Sequence, residues 1–277
     1  MEYKIVADSC CDLTPELKKE LGVISIPLIM TLDEKCFTDD EHLNLPEYMR
    51  KMKEHKGKIG SASPPPLLYK EAFEGKHTSF AVTISSNLSG SYNSAVIGKN
   101  MAEEDSVADV YVFDSKSASA GEALIALKIS KLINEGLRKT EIVTAVETFI
   151  SEMKTYFVLS NFDNLMKNGR MSKIKGTIIS ALGIKALMGA DAEGNIALFS
   201  QARGYAKVIE KLADTIKESG KNTEGESVVI THCNNPGLAE KLVNAIKERY
   251  SFKEIFVFPT NGLSSMYAND QGIIMAF

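Results

Sequence analysis

Short apolar runs alternate with longer amphipathic stretches along most of the chain. The runs are rich in Val, Ile and Phe, which is typical of buried strands. Strands are predicted at residues 3–7, 23–29, 80–84, 110–113, 156–160, 184–189, 195–200, 227–231 and 255–258. The stretches between them carry apolar residues at helical spacing. Helices are predicted at about residues 15–21, 46–55, 66–74, 91–103, 118–135, 140–153, 203–218 and 237–249.

The order of these elements predicts an α/β fold. Strands that alternate with helices in the first half indicate βαβ units and a mainly parallel sheet with flanking helices. In the second half, only the polar segment "ADAEG" joins two apolar runs, which predicts an antiparallel hairpin and a mixed sheet with helices. We therefore expect two α/β domains in extensive contact, residues 1–157 and residues 158–277.

The composition of the chain argues against nucleic-acid binding and against insertion into a membrane. The chain has 277 residues and a net charge of −4, so its overall field does not attract nucleic acid or an anionic membrane. No apolar run approaches the ~18 residues of a membrane span, and the first residues predict a strand, not a signal peptide. We expect a cytoplasmic protein without stable membrane insertion. The four cysteines form no C-x-x-C pair and are predicted to be free thiols: Cys10, Cys11, Cys36 and Cys233.

Three predicted strands of the first half end in Asp or Ser. These residues are Asp8, Ser9, Ser85, Ser86, Asp114 and Ser115. Ligands of open α/β sheets bind beyond the carboxyl ends of the strands, so these side chains and Ser89 are candidates to border one crevice. The same residue types also cap helices, and the pattern alone leaves both roles open.

Hydroxyl groups are concentrated in two segments. The stretch "VTISSNLSGSYNSA" (82–95) places five serines and a glycine between a predicted strand and a predicted helix. Such hydroxyls can activate a nucleophile, hold an anion or only turn the chain. The loop "GSASPPP" (60–66) presents Ser61 and Ser63 on a segment that three prolines stiffen. That loop either holds the hydroxyls in place or serves as a connector.

Catalytic and cofactor-binding patterns are scarce. No serine lies in a G-x-S-x-G turn, no G-x-G-x-x-G follows a strand, and no G-x-x-x-x-G-K-[ST] occurs. No two histidines are four residues apart, so neither a metal nor an organic cofactor is expected. One enzymatic alternative is a serine hydrolase or acyltransferase in which His232 activates Ser89. It requires those two side chains within hydrogen-bond reach.

Two arginines follow turns or strands and are candidate anion ligands. Arg170 lies in "KNGRMSK" and Arg203 in "SQARGYAK". The planar guanidinium donates several hydrogen bonds and suits a carboxylate or a phosphate. Either side chain can equally be an ordinary surface arginine.

Five ordered motifs resemble those of the DegV family of fatty-acid-binding proteins. They are "ADSCCDLTPEL", "SASPPP", "ISSNLSGSYNSA", "VFDSKSASAGEA" and "LMKNGRMSK". The resemblance extends from Met1 to Phe277 and implies a carrier with one long-chain fatty acid bound between its two domains. By this resemblance Ser61 and Ser89 hold the carboxyl group. Backbone N–H groups at Gly90 and Ser91, where the helix at 91–103 starts, are further donors.

The resemblance also implies a partner. In bacteria that have the matching fatty acid kinase, such a carrier presents its acid for phosphorylation, and the acyl phosphate enters phospholipid synthesis. Arg170 and Arg203 correspond to family arginines tied to that step or to the head group. Tyr267 takes the place of a family histidine and is a candidate head-group contact. A lipid sensor or store without a kinase partner is the remaining alternative.

Overall fold

The computed structural model describes residues 3–105, 108–171 and 183–277. The elements, in chain order, are β1 (Tyr3–Asp8), α1 (Pro15–Glu20), β2 (Val23–Ile26), β3 (Ile29–Leu32), β4 (Lys35–Thr38), α2 (Leu45–Glu54), β5 (Ile59–Ala62), α3 (Pro66–Phe73), β6 (Thr78–Thr83), α4 (Ser91–Asp105), β7 (Asp109–Asp114), α5 (Ala120–Asn134), α6 (Lys139–Glu152), β8 (Thr155–Val158), α7 (Asp163–Lys167), β9 (Ile184–Ala190), β10 (Ile196–Arg203), α8 (Tyr205–Glu218), β11 (Ser227–His232), α9 (Pro236–Lys247), β12 (Glu254–Pro259), α10 (Gly262–Ala268) and β13 (Ile273–Ala276).

The first half forms a four-stranded parallel sheet in the order β2-β1-β6-β7, as predicted. Successive residues of its central strands face opposite sides. Phe80 belongs to the apolar core that includes α5 and α6, whereas Ala81 belongs to a separate core with α3 and α4. Burial on both faces explains why these strands consist of nearly continuous apolar residues.

The second half forms a six-stranded mixed sheet in the order β10-β9-β8-β13-β11-β12. Only β11 and β12 pair in parallel, and the predicted hairpin is the antiparallel pair β9–β10. One face is covered by α8 and α9, and the other contacts α5. Helix α5 also packs against β1 and β6 of the parallel sheet, so it lies between the two sheets. The prediction of an α/β fold with one parallel sheet and one mixed sheet is confirmed.

One predicted strand is wrong. The run at 23–29 is divided at Pro27 and Leu28 into β2 and β3, which belong to different sheets. Proline has no N–H to continue the ladder, and the Leu28 N–H instead donates to Ser9 Oγ at 3.1 Å. Strand β3 then pairs with β4 and β5 in a small antiparallel sheet, which the apolar pattern does not predict.

The change of sheet along the chain occurs at β8, which is already part of the mixed sheet. The division into domains at residue 157 remains a prediction. The four cysteines are free thiols, and Cys36 alone among them is exposed. In residues 3–105, 108–171 and 183–277, no helix combines the length and apolar character needed to cross a membrane.

Candidate functional site

A largely apolar cavity lies between the two sheets. The space between the lining atoms is about 880 Å³, a volume that includes solvent at the open mouth. Residues of both halves line it: Ile84, Ser117, Ala118 and Ser119 from the first, and Thr155, Phe157, Gly189, Ala190, Ile196 and Ile274 from the second. An apolar space of this kind suits a long hydrocarbon chain.

Four of the predicted site residues line this cavity, namely Ser61, Ser89, Arg170 and Tyr267. Ser61 lies on β5, opposite Met30 of β3, and Tyr267 lies on α10. Their hydroxyl oxygens are 2.8 Å apart, and either hydroxyl can be the donor. The structure therefore brings together hydroxyl groups from the small sheet, α10 and the serine-rich loop.

Ser89 lies in a turn whose shape depends on a buried carboxylate. The backbone N–H groups of Leu88 and Ser89 donate to Ser85 O, and the Ser91 N–H donates to Ser89 Oγ at 3.2 Å. Asp8 accepts from the Ile84 N–H at 2.9 Å and from the Ser91 hydroxyl at 2.6 Å. Asp8 is the last residue of β1, the strand beside β6, and its carboxylate thus connects the two ends of the turn.

Behind Asp8 lies Glu122, a fully buried residue of α5. Burial, followed by the negative charge of Asp8, raises the pKa of Glu122 well above its ordinary value. Burial also raises the pKa of Asp8, against the effect of its hydrogen bonds to Ser91 and Ile84. Neither carboxyl oxygen of Glu122 has a hydrogen-bond partner among the described residues, so an uncharged Glu122 accounts best for its burial beside Asp8.

Gly90 and Ser91 are not among the residues that line the cavity. The Ser91 hydroxyl is bonded to Asp8 and to the Tyr69 hydroxyl, at 2.6 and 2.7 Å. Gly90 is exposed and close to Ser63, whose Oγ would be 3.1 Å from a Cβ at Gly90. Ser91 therefore supports the Ser89 turn, and a role in contacting the ligand remains a prediction for both residues.

The two arginines are placed differently. Arg170 is half-buried in the cavity wall, where Nε donates to Leu88 O at 3.1 Å and Nη1 donates to Asn168 O. Burial raises the pKa of Tyr267, while its hydrogen bond to Ser61 and the charge of Arg170 act in the opposite direction. Arg203 ends β10 and is exposed, and it is not among the residues that line the cavity.

Helix α10, which carries Tyr267, is held by a carboxylate that the sequence reasoning missed. Buried Asp39 accepts from the backbone N–H groups of Gly262 and Leu263 at 2.8 and 2.9 Å, and from the Ser9 hydroxyl. A Cβ on Gly262 would be 2.5 Å from Asp39 Oδ1, so a larger residue at this helix start would displace the Asp39 side chain or the helix. Asp39 had no recognisable motif around it in the sequence.

Buried Asp12 makes a second connection between the two halves. It accepts from the Asn261 N–H at 2.7 Å and from the Ser119 hydroxyl. Asn261 immediately precedes α10, and Ser119 lines the cavity. Asp12 lies in the "ADSCCDLTPEL" motif, which was the available signal for its importance.

The polar residues at the strand ends mostly fix the chain. Ser85 Oγ donates to Gly194 O of the β9–β10 turn at 2.9 Å, where φ of Gly194 is +81°. The Ser86 hydroxyl donates to Asp114, and the Ser115 hydroxyl donates to Ser117 O. Of the strand-end residues and Ser89 that were expected to border one crevice, only Ser89 lines the cavity.

The arrangement needed by a serine hydrolase is not present among the described residues. His232 lines a separate surface pocket with Arg50 and Lys53, and its Nδ1 accepts from the Asn235 N–H at 3.3 Å. Burial lowers the pKa of His232. No hydrogen bond joins His232 to Ser89 within residues 3–105, 108–171 and 183–277. The same residues contain no cluster of three or more metal-ligating side chains.

Comparison with known proteins gives the family. The sequence model of the DegV family matches residues 2–273. A DegV domain-containing protein of Streptococcus pneumoniae is 36% identical over 282 residues, covering 100% of this chain and 99% of the relative. The resemblance identified from the motifs is thereby confirmed.

Two solved structures are similar over nearly their whole length. A DegV family protein of Ruminococcus gnavus with vaccenic acid has a TM-score of 0.95 and 39% identity, covering 99% of each chain. The Streptococcus pneumoniae Fatty Acid Kinase (Fak) B3 protein, loaded with linoleic acid, has a TM-score of 0.91 and 35% identity, covering 100% of this chain and 99% of the other. The present chain therefore belongs to the DegV family.

Proposed function

We propose that this protein binds one long-chain fatty acid in the cavity between its sheets and acts as a carrier, not as a catalyst. One observation carries the proposal: Ser61, Ser89, Arg170 and Tyr267 line a cavity whose other lining residues are mostly apolar. A fatty acid has the same division into a polar head and an apolar tail. The fatty acids held by the two similar solved structures support this assignment.

The head group is the demanding part of such a ligand, because an ionised carboxylate is costly to bury without partners. Tyr267 can donate to Ser61, which leaves the Ser61 hydroxyl hydrogen for the carboxylate. Ser89 already accepts from the Ser91 N–H, so its own hydrogen is also available. Arg170 adds the positive charge. These donors hold an anion without activating a nucleophile.

The tail supplies most of the affinity. Burial of each methylene contributes ~0.8 kcal/mol, so roughly fifteen contribute ~12 kcal/mol before the costs of association. The apolar residues on β8, β9, β10 and β13 are the surface against which we expect the tail to lie. We place the acyl chain there and the carboxyl group beside Ser61 and Ser89.

We further propose that the protein works in the cytoplasm, where a fatty acid kinase phosphorylates the bound acid for phospholipid synthesis. The similarity to the Fak B3 protein supports this partnership. Exposed Arg203 is free to contact that kinase. The competing function, a lipid sensor or store, predicts the same binding without acyl phosphate formation.

Native mass spectrometry of the purified protein, followed by titration of delipidated protein with palmitate, tests the binding function. We expect one fatty acid per chain, and weaker binding of the S61A and S89A variants by ~1–3 kcal/mol each. Exposed Ser251, on the turn before β12, provides the matched control S251A. Absence of saturable palmitate binding would overturn the proposal. Binding without acyl phosphate formation by a kinase would favour the sensor or store.

A further inference from the structure

Helix α5 carries a buried acidic residue, Glu122, in its first turn. Glu122 is fully buried, and neither of its carboxyl oxygens has a hydrogen-bond partner in the part of the chain that the structure describes. Helix α5 packs against β1, which ends at Asp8, and against β6, which leads into the Ser89 turn. A polar group that is buried without a partner is costly, so its presence beneath this turn requires an explanation.

We propose that Glu122 is a positioning residue for the fatty acid carboxylate, and that it acts in this way only while it is uncharged. An uncharged Glu122 lets Asp8 carry the single negative charge at the base of the Ser89 turn. Ionisation of Glu122 would place a second charge beside Asp8 and loosen the turn, so fatty acid binding should weaken at alkaline pH. The inference rests on the proposed function, because it takes Ser89 as a ligand of the carboxylate.

Asp8 has the hydrogen bonds of an ionised carboxylate. It accepts from the backbone N–H groups of Ile84 and Cys10 at 2.9 and 3.1 Å, and from the Ser91 hydroxyl at 2.6 Å. The Ser91 hydroxyl has one hydrogen, which it donates to Asp8, so the Tyr69 hydroxyl is the donor in its 2.7 Å contact with Ser91. These donors are all directed toward Asp8 and stabilise its negative charge.

The bonds to Asp8 hold both ends of the turn that presents Ser89. Ile84 precedes the turn and lines the cavity, and Ser91 follows the turn and begins α4. The Ser89 hydroxyl oxygen accepts from the Ser91 N–H at 3.2 Å, so the two serines are joined directly. A shift of the Asp8 carboxylate therefore moves the Ser89 hydroxyl relative to the cavity.

The titratable groups that face Glu122 provide no positive charge. They are Asp8, Cys10, Cys11 and Asp12, at and after the end of β1, and Tyr69 of α3. Burial, followed by the charges of Asp8 and Asp12, raises the pKa of Glu122, while the Cys10 thiol acts in the opposite direction. Since none of these side chains can become cationic, a charged Glu122 would be opposed by the carboxylates around it.

The other elements packed against α5 give the same result. The sequences of β6 and β13 contain no titratable residue, and that of β11 contains only His232, which lines the separate surface pocket. The acidic residues of α6 are exposed, and its one basic residue, Lys139, pairs with Asp109. Within residues 3–105, 108–171 and 183–277, these elements therefore offer no free cation to an ionised Glu122.

Titration of Glu122 and binding of the fatty acid are linked through the charge of the head group. A carboxylate held at Ser89 adds negative charge near Asp8, so the pKa of Glu122 should be higher in the complex than in the free protein. The complex then holds this proton more tightly, and affinity is greatest below the pKa of the free protein. It falls as the pH rises from that value toward the pKa in the complex.

The test compares palmitate binding by delipidated wild type and E122Q over a range of pH. Glutamine keeps the size of the side chain and cannot ionise. Near pH ~6 we expect affinities within about twofold of each other, and near pH ~9.5 we expect the wild type to bind roughly fivefold more weakly than E122Q or worse. Glu240, exposed on α9, provides the control E240Q, whose profile should follow that of the wild type.

The difference between the two profiles isolates Glu122, because Asp12 and the palmitate carboxyl group are common to both titrations. E122M, which is also uncharged, replaces E122Q if the amide prevents folding. Parallel profiles for wild type and E122Q would overturn the proposal. Equal weakening of E122Q at every pH would also overturn it, because Glu122 would then act by packing alone. Failure of the wild type to bind palmitate at any pH would instead overturn the fatty acid function itself.

Discussion

The Tyr267 hydroxyl lies 2.8 Å from the Ser61 hydroxyl, although the two residues are 206 positions apart in the chain. This contact joins α10 to the small sheet at the wall of the cavity. Burial raises the pKa of Tyr267, so its hydroxyl stays protonated at neutral pH and can donate to Ser61. A proton on Tyr267 therefore orients the Ser61 hydroxyl toward an anion.

We predict that Y267F weakens palmitate binding by ~1–3 kcal/mol, because Ser61 loses the donor that orients it. Titration calorimetry of delipidated protein measures the change. Tyr250, whose hydroxyl donates to Ala213 O away from the cavity, provides the control Y250F. Wild-type affinity in Y267F would show that the Tyr267 hydroxyl has no part in binding.

The same contact predicts how binding depends on pH. Tyr267 and Ser61 do not change charge between pH 6 and 8. These two head-group contacts should therefore add no pH dependence to palmitate affinity over that range. In Y267H, an imidazole with an ordinary pKa near ~6.5 should make binding tighter at the lower pH. A pH-independent Y267H variant would place residue 267 away from the carboxylate.

Arg170 should contribute to affinity and not only to contact with a partner. R170A removes the positive charge and the bonds to Leu88 O and Asn168 O, so we predict a loss of ~1.5–3 kcal/mol. R170K keeps the charge without the fork and should recover part of the loss. R50A, which disrupts an exposed pair with Glu54, is the control. Equal palmitate affinity in R170A and R50A would contradict this assignment.

Gly262 should be intolerant of even a methyl group. A Cβ there would be 2.5 Å from both Asp39 Oδ1 and Leu43 Cδ2. We predict that G262A lowers the free energy of unfolding by ~1–3 kcal/mol and weakens palmitate binding, because either α10 or the Asp39 side chain that holds it must shift. Gly237, near the start of α9, has nothing within 4 Å of an added Cβ, so G237A is a matched control. Urea unfolding curves that are the same for both variants would refute the prediction.

Asp12 should make stability depend on pH. Burial raises its pKa to about 7 in the folded protein, above the ordinary value of 3.8. The folded state therefore holds this proton more tightly than the unfolded chain, and the associated stability is present below pH ~4. It is lost as pH rises toward 7, with a slope of up to ~1.4 kcal/mol per pH unit.

D12N cannot titrate at this position and should lack that part of the slope. Comparison of unfolding free energies at pH 5 and pH 7 for wild type and D12N isolates Asp12, because the other buried carboxyl groups are common to both proteins. D214N, at an exposed ion pair with Arg249, is the control. Parallel pH profiles for wild type and D12N would mean that Asp12 is not protonated in this range.

The sequence predicts strands most accurately where nearly every residue of the strand is buried. Strands β1 and β6 are buried on two faces, so their apolar runs mark them to within two residues. Strand β4 is mostly exposed and short, and neither periodicity nor a long apolar run marks it. The break at Pro27 shows that an apolar run can supply strands to two different sheets.

In the candidate site, the residues that lie in local motifs could be predicted, and those placed by long-range contacts could not. Ser61 and Ser89 lie in recognisable motifs, and both line the cavity. The position of Tyr267 depends instead on Asp39, which accepts from the Gly262 N–H across 223 positions of the chain. Such a long-range contact leaves no local pattern in the sequence. The proximity of Leu88, Ser89 and Arg170 in the cavity wall likewise becomes visible only when the chain is folded.

The central place of β13 has a consequence for the time at which the protein can first take up lipid. Strand β13 pairs with β8 on one side and β11 on the other, and its Ile274 lines the cavity. A ribosome has to reach residue 276 before these two parts of the sheet can join. The growing chain therefore has no enclosed space for an acyl tail while β8 and β11 await their partner. We therefore expect uptake of a lipid to follow translation and not to accompany it.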